Sequence, residues 1–110
     1  MKEMGDALFA YGTLLEEARR IEVLGHGVEV SEARLDGFQR GRARYNYIVR
    51  ADGAQTPGLI MVGLTEEDFR RLDAYEELPT LYTREKIEVA TSDGMVRCWV
   101  YFPTAECLNP

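Results

Sequence analysis

The closing stretch of the chain constrains the fold most. Residues 84–91 read as a strand, Ser92-Asp93-Gly94 as a turn, and residues 95–102 alternate, with Val96, Cys98, Val100 and Phe102 on one face. The chain therefore ends in an antiparallel hairpin with one apolar side to bury. Earlier segments extend the pattern. Residues 7–11 form a short apolar run stopped by Gly12-Thr13, the profile of a buried strand entering a turn. Residues 28–38 are extended, with a bend expected at Asp36-Gly37. In residues 43–51, Ala43, Tyr45, Tyr47, Val49 and Ala51 share one face, with Ile48 the exception opposite, and Asp52-Gly53 is read as the following turn. Residues 59–62 are apolar without alternation, which predicts a strand covered on both sides. Helical spacing occurs in residues 15–24, closed by Gly25, and in residues 66–77. The expectation is an α+β fold: a small mixed sheet of about six strands, curled or closed to hide its edges, with two or three short helices.

A chain of 110 residues with 45% hydrophobic and 29% charged residues has room for a single core and one shallow pocket. No repeat or linker divides it, so one domain is expected over 1–110, with 103–110 as a loose tail. The net charge of −6 argues against a general nucleic-acid partner. The first half is nearly neutral, with 8 basic and 9 acidic groups, whereas residues 56–110 carry 5 and 10. Carboxylate chemistry is therefore to be sought in the second half. Cys98 and Cys107 are too few for a secreted disulfide framework and read as reduced thiols of a cytoplasmic protein. The start, Met1-Lys2-Glu3-Met4-Gly5-Asp6, is acidic at its third position and is followed by only a short apolar run. It resembles neither a signal peptide nor a membrane span, and no membrane partner is expected.

Residues 66–77 hold the first chemical candidate. Thr65 and Asp68 stand at the reciprocal positions of a capping box, and Leu64 and Phe69 at those of a hydrophobic staple. With the start so placed, Phe69, Leu72 and Tyr75 form the inward stripe and Glu76 falls within about 40° of its centre. Burial, the helix carboxy terminus and the neighbours Asp73 and Glu77 would all raise the pKa of that carboxyl group. A pocket-facing glutamate so tuned suits a general base that must also return its proton. The alternative is a helix ending one residue early, with Glu76 turned into water. Tyr11-Gly12-Thr13-Leu14 is the second candidate. A strand ending in Gly-Thr before a helix leaves main-chain amides free to hold a carboxylate or an oxyanion. The alternative there is an ordinary turn capped by Thr13.

Together these segments resemble the gamma-glutamylcyclotransferase-like family, in particular its plant avirulence-induced-gene branch. The similarity begins at Leu8-Phe9-Ala10-Tyr11-Gly12-Thr13-Leu14 and continues through Ala33-Arg34-Leu35-Asp36-Gly37-Phe38 and Gly58-Leu59-Ile60-Met61-Val62-Gly63-Leu64-Thr65. It then takes in Leu72-Asp73-Ala74-Tyr75-Glu76-Glu77, Tyr82-Thr83-Arg84 and Trp99-Val100-Tyr101, in order, over residues 7–102. The resemblance implies a barrel-like α+β fold with one pocket. It implies that Tyr11, Gly12, Thr13 and Leu14 bind the gamma-glutamyl group, that Glu76 is the acid/base, and that Tyr82 lines the pocket. Two positions depart from the pattern. Glu77 stands where animal cyclotransferases have glycine, and Asn46 replaces a common proline, a change expected to touch only a strand edge.

The implied reaction suits so sparse a chain. The alpha-amine of a gamma-glutamyl amide attacks its own gamma-carbonyl, closing a lactam and releasing 5-oxoproline and an amine or amino acid. Such intramolecular attack can have an effective molarity on the order of 10⁵ M or more. It needs no metal, cofactor or protein nucleophile. The expected partner is a small gamma-glutamyl amine or peptide, and the protein is expected to be a monomer or homodimer. A rival from another class is a non-catalytic module that binds a gamma-glutamyl or carboxylate ligand on the same fold. Other residues read more plainly: His26 as a surface histidine, Cys98 as core, and Arg40-Gly41-Arg42-Ala43-Arg44 as a solvated basic edge. Tyr82 and Arg84 share parity and are both placed at the pocket mouth. Trp99 faces outward, over a helix or a partner.

Overall fold

In the computed structural model, residues 6–108 are described; the reading of the amino terminus rests on residues 1–5 and lies outside them. Strand β1 (Asp6–Ala10) shows how the architecture arises. Its alternation sends Phe9, and Tyr11 just beyond, to one side, and Leu8 and Ala10 to the other, and both sides are buried. A 3₁₀ turn (Thr13–Leu15) leads to helix α1 (Glu17–Leu24), which closes on Gly25 as expected. Two long strands follow, β2 (Glu29–Arg42) and β3 (Asn46–Leu64), then helix α2 (Glu66–Tyr75) and the hairpin β4 (Tyr82–Thr91) and β5 (Gly94–Pro103). The short helix α3 (Ala105–Leu108) ends the described chain.

The strands close into a barrel in the order β1-β3-β2-β4-β5, sealed by a parallel pairing of β5 with β1 at Leu8↔Trp99 and Phe9↔Val100. The other pairings are antiparallel. Closure satisfies the strand edges that an open sheet would expose. Phe9, Leu35, Ile48, Ile60, Val89, Cys98 and Val100 fill the interior. On the outer surface Leu8, Met61, Leu64 and Tyr101 pack beneath Leu24 of α1 and Phe69 and Leu72 of α2. Residues 59–62 are thus covered on both faces, as their lack of alternation predicts.

Three expectations change. The sheet has five strands, because the segments read at 43–51 and 59–62 belong to one strand, β3, and Asp52-Gly53 does not end it. The register passes from Asp36↔Gln55 to Phe38↔Arg50, so Gly37 on β2 stands against residues 51–54 on β3. Gly37 and Gly53 both have left-handed backbones, φ 86° and 81°. The two glycines form a shared bulge that bends a paired ribbon, where the Asp-Gly signal alone reads as a turn. Burial within residues 43–51 also does not follow the apolar face. Ile48 is the buried residue at 1% exposure and Val49 is 39% exposed. Alternation identifies two faces but not which of them meets the barrel. Finally, the segment read as a loose tail is ordered as far as residue 108: Thr104 Oγ1 donates to the Thr80 and Leu81 carbonyls, and Cys107 is buried.

His26 is more than a surface residue. Its Nε2 lies 2.7 Å from Asp68 Oδ1, tying the turn after α1 to the capping box of α2. The bond raises the His26 pKa; at Asp68 burial opposes, but hydrogen bonds from Thr65 and His26 prevail and lower it. The stabilisation from His26 is full below its unfolded pKa and is lost as pH rises through its raised folded value. That from Asp68 is present above its unfolded pKa and is lost as pH falls through its lowered one. The contact therefore contributes most between about pH 4 and 6.5. In thermal melts, the gap between wild type and His26→Ala is expected to be wide at pH 5.5 and to shrink at pH 9. An equal gap at both would count against the contact.

Candidate active site

The capping box forms as the sequence predicts: Asp68 N donates to Thr65 Oγ1 and Thr65 N to Asp68 Oδ2. The far end of α2 differs from expectation. The helix ends at Tyr75, with Glu76 as its C-cap and Glu77 in the left-handed region at φ 58°. Leu78 N bonds the Asp73 carbonyl at 3.1 Å and Glu77 N the Ala74 carbonyl at 3.2 Å, the paired bonds of a Schellman motif. This turn anchors the backbone on both sides of Glu76. The helix stops early, yet the carboxylate lines a hollow of about 270 Å³. Glu77 thus holds a conformation that glycine adopts without cost, at about 1 kcal/mol for a residue with a Cβ.

The opposite wall is the turn after β1. Leu15 N bonds the Gly12 carbonyl at 3.1 Å and Glu16 N the Thr13 carbonyl at 3.2 Å. Arg20 of α1, itself buried, donates to the carbonyls of Leu14 and Leu15. The acceptors of the turn are thus tied off on one side, and the Gly12, Thr13 and Leu14 amides have no acceptor among the described residues. Thr13 does not cap the turn. Its Oγ1 lies 2.6 Å from Tyr75 Oη, which also accepts from Arg19 at 2.9 Å. Tyr75 therefore clips the turn to the residue preceding Glu76. Tyr11 lines the hollow with its hydroxyl donated to the Tyr101 carbonyl at 2.7 Å, and Tyr82 donates to the Asn46 carbonyl.

The hollow brings Tyr11, Gly12, Thr13, Leu14, Glu76 and Tyr82 together. Arg84 is not at its mouth. Its guanidinium pairs with Asp73 at 2.8 and 3.1 Å and lies over the rings of Phe69 and Trp99. Trp99 thus covers α2, one of the two readings of its outward face. Asn46 does more than edge a strand: its Cβ would lie 3.2 Å from a Cβ at Gly12, so any side chain at position 12 would crowd it. Asn46, Tyr75 and Tyr101 are lining residues that sequence reasoning did not assign to the pocket. No spacing signal links residues so far apart in the chain.

Electrostatics converge on Glu76. Burial first, then the negative charge of Asp73, push its pKa up to about 7. Asp73, one turn earlier on α2, stays ionised; burial opposes this, but bonds from Arg84 and the Tyr101 hydroxyl, at 2.6 Å, hold its pKa below the usual value. Asp73→Asn is expected to lower the Glu76 pKa, because it removes a negative neighbour and frees the positive charge of Arg84, and both favour the carboxylate. Carboxyl NMR titration reads this directly, and an unchanged or raised value would contradict it. Among the described residues no cluster of His, Cys, Asp and Glu could hold a metal ion, and no helix is long and apolar enough to cross a membrane.

A closed five-stranded barrel with helices on its outer surface, and a carboxylate that shares one small hollow with the turn after β1, define the class: an α+β barrel. The chain belongs to the gamma-glutamyl cyclotransferase, AIG2-like family, whose family model matches residues 8–109. A curated relative from Methanocaldococcus jannaschii, named a gamma-glutamylcyclotransferase and putative RNase, is 28% identical over 90 residues. The match covers 79% of this chain but only 40% of that protein. Two solution structures from Arabidopsis thaliana share the fold, with TM-scores of 0.80 and 0.81 at 24% and 23% identity. They align over 92% and 96% of this chain and 70% and 66% of theirs. A structure titled gamma-glutamyl cyclotransferase has a TM-score of 0.77 at 20% identity, over 93% of this chain and 68% of its own.

Proposed function

We propose that this chain is a gamma-glutamyl cyclotransferase that releases 5-oxoproline and an amine or amino acid from a small gamma-glutamyl amide. The observation that carries the reading is the Glu76 carboxyl group, with a pKa of about 7, in a hollow shared with the Tyr11–Leu14 turn. A volume of about 270 Å³ lies just below the usual range of ligand pockets, about 300–1,000 Å³, and suits a gamma-glutamyl group with a short leaving group.

The substrate folds back within the hollow. Glu76 accepts a proton from the alpha-ammonium, whose pKa is about 8. The freed amine attacks the gamma-carbonyl; a nitrogen–carbon bond forms, closing the ring, and the carbonyl oxygen takes up negative charge. The amides of Gly12, Thr13 and Leu14 hold an anionic group of the substrate, its carboxylate or this oxyanion. The oxyanion collapses, the original amide bond breaks, and Glu76 returns its proton to the departing nitrogen; the ring nitrogen then gives up its extra proton, through the same carboxylate, to the released amine, which leaves as an ammonium. The two free cysteines suit a reducing compartment, and the proposed location is the cytoplasm.

A panel of gamma-glutamyl amines and peptides, assayed for 5-oxoproline, tests the reading. Release that depends on Glu76 is expected. A ligand that raises the melting temperature without yielding 5-oxoproline would replace the enzyme with a binding module.

A further inference from the structure

Resting on that reading of the site, we propose that Arg42 and Arg44 select substrates whose leaving group carries a carboxylate. The hairpin joining β2 to β3 contributes to the wall of the hollow, and both arginines line it while remaining exposed. Neither forms an ion pair with a described residue; Arg44 lies only over the ring of Tyr45, at 5.6 Å. From residue 37 to residue 51 the chain has four arginines and no carboxylate, in a protein whose net charge is −6. Arg40 is held by Asn46 Oδ1 at 3.0 Å and Arg50 lies over Phe38, whereas Arg42 and Arg44 line the hollow with neither a carboxylate nor a hydrogen-bond partner among the described residues.

The proposed reaction assigns the two ends of a substrate. The glutamyl half belongs inside, between Glu76 and the turn at Gly12, because ring closure occurs there. The leaving group then extends to the rim. Two guanidinium groups on a lining that also holds Glu76 and Glu77 give the rim positive charge that would accept a carboxylate. An uncharged amine would leave both without a partner.

The decisive comparison is gamma-glutamyl-alanine against gamma-glutamyl-ethylamide, which differ only by the carboxylate of the leaving group. Wild type is expected to favour the alanine compound about tenfold in kcat/KM, mainly through KM, and to lose much of this preference in 0.5 M salt. The Arg42→Gln/Arg44→Gln variant should bring the ratio to about twofold or less. An unchanged ratio overturns the proposal. So does an equal fall for both substrates, which would place the arginines on the glutamyl half. Calorimetric binding of the same two compounds to Glu76→Gln separates this proposal from the reaction itself. An Arg-dependent preference in binding, with no 5-oxoproline formed by wild type, would sink the cyclotransferase reading and keep the selectivity. Equal binding, or none, would sink the selectivity.

Discussion

Glu76→Gln is expected to lower kcat/KM by about 10²–10⁴-fold, the usual contribution of a positioned acid/base group. The amide keeps the size of the side chain but can neither accept nor return a proton. In the proposed reaction, the reactive state needs ionised Glu76 and a protonated substrate ammonium. kcat/KM should therefore rise as Glu76 ionises through about pH 7 and fall near pH 8 as the ammonium is lost. Asp73→Asn should move only the lower limb, toward acid. The Glu76→Gln variant has a second signature, in stability. Because burial raises the folded pKa of Glu76, the folded state binds more protons than the unfolded chain between about pH 4.5 and 7, so stability falls as pH rises through that window. At pH 8 the ionised side chain costs on the order of 3 kcal/mol. Glu76→Gln should thus melt higher than wild type at pH 8 and close to it at pH 4. Loss of activity with a gain in alkaline stability separates an acid/base role from a packing role. Retained activity would refute the assignment.

The largest expected loss of stability lies away from the hollow's chemistry, at Gly58. This residue faces Ala33 across the β2–β3 ladder. A Cβ there would lie 2.2 Å from the Ala10 carbonyl oxygen and 2.7 and 2.9 Å from atoms of the Phe9 ring. The nearest obstacle is backbone, and β1 is held on both sides, by β3 and by β5. Relief requires β1 to move, and the turn at Gly12 follows directly from it. Gly58→Ala is expected to cost about 3 kcal/mol, the upper part of the usual range for overpacking. That corresponds to a fall in melting temperature on the order of 15 °C. Gly27→Ala is the control, since nothing lies within 4 Å of its added Cβ. A small, equal change in both variants would show that β1 yields easily.

Much of the candidate site is legible in the order of the residues. The capping box at Thr65 and Asp68 sets the phase of α2, and the phase carries Glu76 toward the buried side. Gly12-Thr13 marks the end of β1, and the alternation of β5 places Cys98 and Val100 inside. What is not legible depends on partners distant in the chain. The exact stop of α2 follows from a Schellman turn in which Glu77 takes a conformation that a glutamate does not advertise. Asp52-Gly53 looks like a turn because its meaning depends on Gly37, on the neighbouring strand. Arg84 has the parity to reach the mouth but is captured by Asp73 and two aromatic rings.

The sequence alone determined the local matters: the course of the main strands and of α1 and α2, where α2 begins, and that the acidic residue at its end is phased toward its inner side. These follow from the spacing of apolar residues and from capping groups a few positions away, interactions that hold within a single element. The tertiary structure decided which face of β3 is inward, how Tyr75 joins the turn at Thr13 to α2, and how far burial shifts Glu76. Those depend on closing the sheet into a barrel, because only closure brings the ends of β1, β3 and α2 around one hollow and draws Glu76 partly out of solvent.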